Sequence, residues 1–421
     1  MKSYKSSNLR NVAVIGHGKT GKTSLLDACL FNAGAVKRPG SVEEHTSVLD
    51  CEPEEESRGM TINLKLAACE WRDYKINFID TPGYPDFVGE VKDALTAADS
   101  ALIVISAPSG IEVETEKAWR YAEEAELPRA FFINKMDREH ADFRQVVEEL
   151  RVRFGDGVVP VQLPIGQEAA FQGVVDLLAL HMKIVTHDEE DLIADIPEYI
   201  KGDVEEARQK LIESVAEFNN ELLEKYIEGT EITEVEVAAA LIEGIQAGKI
   251  FPVFCGSAKQ NIGVKKLMNG MVEYMPTPYF HVAIGMDPKD GDLKERHTED
   301  AFSAQVFKTI VDPFVGRMSY MRIFSGTMKG DATYMHPNKE NTERVGTIFS
   351  LQGKRQEHLG TAEAGDIVAT TKLQSVKTGD TLCDAADPIV YEEIAYPAPM
   401  LAMAASAKKK GEEDKVFGAL A

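Results

Sequence analysis

The chain has 421 residues, 44% of them hydrophobic, with 46 Lys and Arg against 69 Asp and Glu and a formal net charge of −23. That length and apolar content predict two or three domains with proper cores, and the acidic balance excludes a protein that wraps nucleic acid over its whole surface, leaving open contact with RNA at one local patch. The five cysteines (Cys29, Cys51, Cys69, Cys255, Cys383) are scattered without Cys-x-x-Cys or Cys/His clusters, and neither a membrane-spanning apolar run nor a signal peptide is visible, so a cytoplasmic, reducing-compartment protein with no membrane attachment is expected.

In chain order, the first half alternates strand and helix patterns, which predicts a mostly parallel, doubly wound α/β sheet. Strands are expected at NVAVIG (11–16), KINFID (75–80), SALIVIS (100–106), RAFFIN (129–134) and FPVFCG (251–256), with helices at 112–125 and 142–154. GHGKTGKT (16–23) fits Gly-x4-Gly-Lys-Thr between a strand and a helix starting near Lys22. Backbone N–H groups of Gly16, His17, Gly18, Lys19, Thr20, Gly21, Lys22, Thr23 and Ser24 offer a positive concavity for phosphates. Lys22 would reach the β- and γ-phosphates and Thr23 would ligate Mg²⁺. In EEESRGMTI (54–62), Thr61 is placed to reach Mg²⁺ and γ-phosphate only while that phosphate is present, the logic of an order–disorder switch.

DTPGYPDF (80–87) follows a buried strand: Asp80 would hold Mg²⁺ through a water, and the N–H of Gly83 can approach a γ-phosphate. NKMD (134–137) follows another apolar strand. Asp137 can accept from the N1–H and N2 amino group of guanine, a donor pair adenine lacks. Asn134 would brace the loop, the Lys135 stem would lie over the base, and Gly256, Ser257 and Ala258 would present the Ala258 N–H to guanine O6. Together these motifs specify a domain that binds GTP or GDP with Mg²⁺. Between 158 and 250, short strands followed by two acidic helices, near 203–228 and 233–247, read as an α+β insert. Residues 301–390 alternate in short glycine-punctuated segments, the pattern of an all-β barrel. A strand at 397–406 and the start of a helix close the sequence, and such a pair is expected to be the beginning of a third domain. The expected organisation is 1–280 GTP-binding, 281–396 barrel, and 397–421 a partial third domain.

The motifs and their flanks resemble the elongation factor G family of translational GTPases. VLDCEPEEESRGMTI, DTPGYPDFVGEVKDAL, INKMDREHADF, FKTIVDPFVGRMSYMRIFSGTMKGD and GDTLCD all follow it, and the resemblance runs from residue 8 to 421. It implies a ribosome-acting GTPase, monomeric, switching the orientation of its barrel and further domains. The family's insert meets a ribosomal stalk protein; here Asp188, Glu189, Glu190, Asp191 and the following helices are the counterpart, equally readable as a solvated face. Lys308, Arg317, Arg322 and Lys329 are candidates for ribosomal RNA contact. Translocation, ribosome disassembly, release-factor recycling and ribosome protection all stay open, as does a GTP-sensing binding module that does not hydrolyse.

Four residues depart from the family pattern. Gly18 stands for a branched aliphatic and Lys19 for an aspartate in the phosphate loop, Met60 for isoleucine before Thr61, and Tyr84 for the histidine after DTPG. The sequence resembles the subgroup of paralogues with tyrosine at this turn. A compensated rebuild is expected: Gly18 and flexible Met60 make room for the longer phenol ring, which positions water but transfers few protons. The alternative is that Tyr84 merely packs and the site binds without turnover. Lys19 either replaces a monovalent cation or points into solvent.

Overall fold

The computed structural model describes residues 2–50, 52–179, 181–185, 191–194, 196–312, 316–399 and 401–420. The first domain runs β1 (Leu9–Ile15), α1 (Lys22–Asn32), α2 (Pro53–Arg58), β2 (Lys65–Trp71), β3 (Tyr74–Asp80), α3 (Val88–Ala97), β4 (Ser100–Ser106), α4 (Val113–Glu124), β5 (Arg129–Asn134), α5 (Phe143–Phe154) and β6 (Val158–Pro160). The insert follows as β7 (Gln162–Ile165), β8 (Gly173–Asp176), β9 (His181–Val185), β10 (Asp191–Ala194), α6 (Glu198–Ala216), α7 (Asn220–Glu228) and α8 (Glu234–Gln246), and the chain returns through β11 (Phe251–Cys255) and α9 (Val264–Glu273).

The main sheet has the order β2-β3-β1-β4-β5-β11-β6, parallel except for the antiparallel edge strand β2. β1, β4 and β5 are buried along their whole length, as strands covered on both faces require. One face packs on α1 and α9 through Leu25, Leu26, Leu267 and Met271, and the other on α3, α4 and α5 through Leu95, Trp119 and Val146. Because the strands are parallel, their C-terminal ends at Ile15, Asp80, Asn134 and Cys255 emerge on one edge, where loops can converge on a ligand.

Two expectations change within the insert. Val158–Pro160 pairs in parallel with β11 and so belongs to the main sheet; the insert's own sheet is the antiparallel set β7 to β10. The first acidic helix is also two, because the side chain of Asn219 accepts from the Leu222 N–H at 3.1 Å and starts a new helix after α6. Asp188, Glu189 and Glu190 lie outside the described residues, as does Cys51. Cys29, Cys69, Cys255 and Cys383 are buried thiols. Among the described residues no helix is long and apolar enough to cross a membrane.

The second domain is antiparallel β-structure, opened by the hairpin β12 (Ala283–Met286) and β13 (Leu293–Arg296) and centred on β14 (Ser303–Asp312) and β15 (Gly316–Ser325). It joins the first through buried polar contacts. Lys75 Nζ donates to both oxygens of Asp366 at 2.7 and 2.9 Å, and Arg322 pairs with Asp99 at 2.7 Å. Gln352 on strand Ile348–Gln352 bridges to Ala67 of β2. Two residues expected to face RNA are therefore turned inward: Arg322 is 2% exposed against Asp99, and Lys308 pairs with Glu90 and Asp93 of α3. Of the four candidates, Arg317 is half-buried and Lys329 exposed. The strand expected at 397–406 does not form in its described residues, which are almost all exposed, whereas the helix Glu413–Leu420 does. A lone strand without a neighbouring edge leaves its backbone groups to water.

Candidate functional site

The loop after β1 turns into α1 at Gly21, whose φ of 91° is a left-handed conformation open to glycine. Lys22 folds back under this loop, and its Nζ donates to the carbonyls of Gly16 at 2.9 Å and His17 at 2.8 Å. Burial pulls the amine down to about 8, opposed by Asp80, Asp50 and Glu112. A phosphate beside it would restore the charged form.

Thr23, Thr61 and Asp80 lie together. Thr23 Oγ1 donates to Asp80 Oδ2 at 2.7 Å, and Thr61 Oγ1 donates to Asp50 Oδ1 at 2.8 Å. The two threonine oxygens lie 3.0 Å apart. Either hydroxyl can donate to the other, so the two threonines and their carboxylates form one hydrogen-bonded cluster. Asp80 Oδ1 is buried with no partner, and burial, with Asp50 adding, pushes Asp80 up to about 8. Two hydroxyl oxygens beside an orphaned carboxylate oxygen fit a hard divalent cation that takes oxygen donors. No group of three or more His, Cys, Asp or Glu placed to hold a metal occurs among the described residues.

At the base end, Asn134 ties three segments together. Its Nδ2 donates to Thr20 O at 2.9 Å, and its Oδ1 accepts from the N–H groups of Lys135 at 2.8 Å and Ala258 at 3.0 Å. Lys135 Nζ reaches the Lys19 carbonyl at 2.7 Å, stretching its stem along the cavity. Asp137 Oδ1 is buried with no partner, the state of an acceptor built for donors that the protein itself does not supply. The Ala258 amide expected for guanine O6 is instead engaged by Asn134. Gly256 accepts from the Met136 N–H at 3.2 Å and Ser257 Oγ from the Gln260 N–H at 3.1 Å, so this loop braces the NKMD turn.

Between these ends lies a cavity of about 370 Å³ lined by Gly18, Lys19, Gly21, Lys22, Thr23, Ser24, Met60, Thr61, Gly83, Tyr84 and Lys135, among others. That size suits a small-molecule ligand. The Tyr84 ring lies directly over Gly18: a β-carbon there would sit 3.0 Å from Cζ and 3.1 Å from Cε2. Gly83 approaches the phosphate loop so closely that a β-carbon would fall 2.5 Å from Lys22 Nζ and 2.6 Å from Gly18 N. Met60 is half-buried on the same wall. His17 Nε2 lies 3.3 Å from Glu112 Oε1 while Nδ1 is buried without a partner. Lys19 has an exposed side chain and a φ of 63°, and only its carbonyl takes part, in holding Lys135.

Three acidic residues not singled out in the sequence complete the site. Asp50 holds Thr61. Glu55 Oε1 accepts from the N–H groups of Ile62 and Asn63, both at 3.1 Å, and its Oε2 from Glu52 N–H at 3.2 Å. Glu90 on α3 accepts from the Leu64 N–H at 2.8 Å. In a charge-rich stretch they read as solvated; the available signal was Glu52-Pro53-x-Glu55, an N-terminal helix cap with proline at the first position.

Comparison with known proteins matches residues 7–277 to the elongation factor Tu GTP binding domain and residues 301–385 to elongation factor G domain 2. A crystal structure of a protein from Thermus thermophilus superposes with a TM-score of 0.86 at 31% sequence identity, over 98% of this chain and 60% of that one. The chain thus spans about three-fifths of the length of that relative.

Proposed function

This chain belongs to the elongation factor G family of translational GTPases, and we propose that it serves the ribosome as a GTP-hydrolysing factor whose water-positioning residue is Tyr84. The observation that carries this reading is the Tyr84 ring seated on Gly18, on the wall of the same cavity as Lys22, Thr61 and Gly83. In the proposed cycle the backbone of residues 18–23 and Lys22 bind the phosphates, and Asp137 selects guanine. Thr23, Thr61 and Asp80 would hold Mg²⁺, which when bound neutralises charge on the phosphate oxygens.

Thr61 is the residue that senses whether the third phosphate is present, and Asp50 and Glu55 hold its segment inward. Tyr84 offers one hydroxyl to orient the attacking water. A phenol does not take up a proton as an imidazole does, so it contributes position without charge stabilisation. Positioning and electrostatics dominate phosphoryl transfer, and turnover without the ribosome is accordingly slow. The factor acts in the cytoplasm as a monomer. Its proposed contacts are ribosomal RNA, through Arg317 and Lys329, and a ribosomal stalk protein, through the acidic helices of the insert.

A second reading, a GTP-dependent binding module, has one observation in its favour. The Tyr84 ring packs against Gly18, a contact that a tyrosine with no catalytic part would make equally well. Measuring GTP turnover by the protein and by Tyr84→His, with and without ribosomes, separates the two. Ribosome-stimulated turnover by the native tyrosine supports the proposal; tight binding without turnover, rescued by histidine, supports the module.

A further inference from the structure

Helix α3 carries the Tyr84 turn at its start. The Phe87 N–H donates to the Tyr84 carbonyl at 3.1 Å, and α3 begins at Val88, so no flexible link separates the ring from the helix. On α3, Gly89, Glu90 and Asp93 each meet another part of the chain. Glu90 Oε2 accepts from the Leu64 N–H at 2.8 Å, just beyond Thr61, while Glu90 Oε1 pairs with Lys308 of β14. Lys308 Nζ also reaches Asp93 Oδ2 at 3.3 Å. Asp93 Oδ1 accepts from Tyr396 Oη at 2.5 Å. The Tyr396 ring lies on Gly89, where a β-carbon would be 3.7 Å from it.

Glu90 and Asp93, three residues apart, share one helix face, and the side chains of Lys308 and Asp93 are only 12% and 4% exposed. Hydrogen bonds to charged groups shielded in this way are stronger than surface ion pairs. A shift of α3 by one residue, about 1.5 Å along its axis, disturbs the geometry of all these contacts together. The same shift moves Glu90, whose carboxylate joins Asp50 and Glu55 in holding the segment around Thr61.

We propose that Lys308 and Tyr396 are positioning residues: together they latch α3, and with it the Tyr84 turn, in the arrangement in which Thr61 lies against Thr23. The latch rests on the guanine-nucleotide reading of the site and adds a mechanical link from it to the second domain and to the segment that follows it. In this arrangement the latch and the inward Thr61 segment share Glu90, so the latch is expected to favour the nucleotide that keeps Thr61 engaged, the triphosphate.

The test is titration of the 421-residue chain, with Mg²⁺, against GDP and a non-hydrolysable GTP analogue. Tyr396→Phe removes one hydroxyl from a half-exposed ring and leaves folding intact. It and Lys308→Met each lower affinity for the analogue about five- to tenfold, while GDP affinity stays within about twofold. The double variant loses less than the product of the two, because both act on Asp93. Lys308→Arg keeps most of the analogue affinity. Equal weakening of both nucleotides, the mark of a merely structural role, overturns the latch, and so does no change in either. A wild-type chain that binds neither nucleotide sinks the reading of the site itself and the latch with it.

Discussion

Replacing Gly18 by valine tests the compensation between Gly18 and Tyr84. A β-carbon at 18 sits 3.0 and 3.1 Å from two carbons of the phenol ring, tighter than ordinary van der Waals contact, and valine adds two methyl groups beyond it. In a closed core such overpacking costs about 1–3 kcal/mol. Tyr84 is half-exposed, so the ring swings away and the cost falls on its position. A displacement near 1 Å at a reacting centre is worth up to about 100-fold in rate. Gly18→Val is expected to lower ribosome-stimulated GTP hydrolysis about 10- to 100-fold, with GDP affinity and melting temperature nearly unchanged. In a Tyr84→His background the phenol edge is absent and the same substitution costs less than about twofold, a coupling of about 1–3 kcal/mol. Single-turnover hydrolysis across the four-protein cycle measures it. Equal losses in both backgrounds would refute the idea that Gly18 exists to seat the ring.

Asp366→Ala leaves Lys75 buried and unpaired between the domains, which costs about 3–5 kcal/mol; a loss under about 1 kcal/mol by denaturant unfolding would show that water already reaches that interface. Asp27 is 1% exposed on α1, and burial raises its carboxyl to about 6. A pKa raised on folding gives a stabilising contribution present in full below the unfolded value, near 4, and lost as pH rises through 6. The nucleotide-free protein is therefore expected to gain stability relative to its Asp27→Asn variant as pH falls from 8 to 5, the gain approaching a total of about 3 kcal/mol at still lower pH. Parallel urea curves across that range would contradict this.

Strands covered on both faces were the most legible part of the sequence. SALIVIS and RAFFIN appear as β4 and β5 with the expected ends, because short runs rich in apolar residues and bounded by polar ones read as strands buried on both faces. Strand β2, KLAACEW, escaped notice because two alanines, a cysteine and two charged residues leave it without the β-branched apolar run of its neighbours. A three-residue strand such as Val158–Pro160 cannot be assigned to a sheet from sequence, since its partner β11 is about 90 residues away. The nucleotide motifs were legible because each couples a fixed spacing to a strand end. Asp50, Glu55 and Glu90 were not, since their roles depend on which backbone amides and hydroxyls the fold brings to them. Lys308 and Arg322 misled for the same reason: charge is visible in sequence, but its partner is not.

The most direct test of the central claim is nucleotide titration of the protein with GTP and ATP in Mg²⁺, alongside Asp137→Ala. The unpartnered Asp137 Oδ1 predicts a preference for GTP on the order of 1,000-fold or more, collapsing to near parity when the carboxylate is removed. Equal binding of GTP and ATP by the native chain, or guanine selectivity that survives Asp137→Ala, would contradict it.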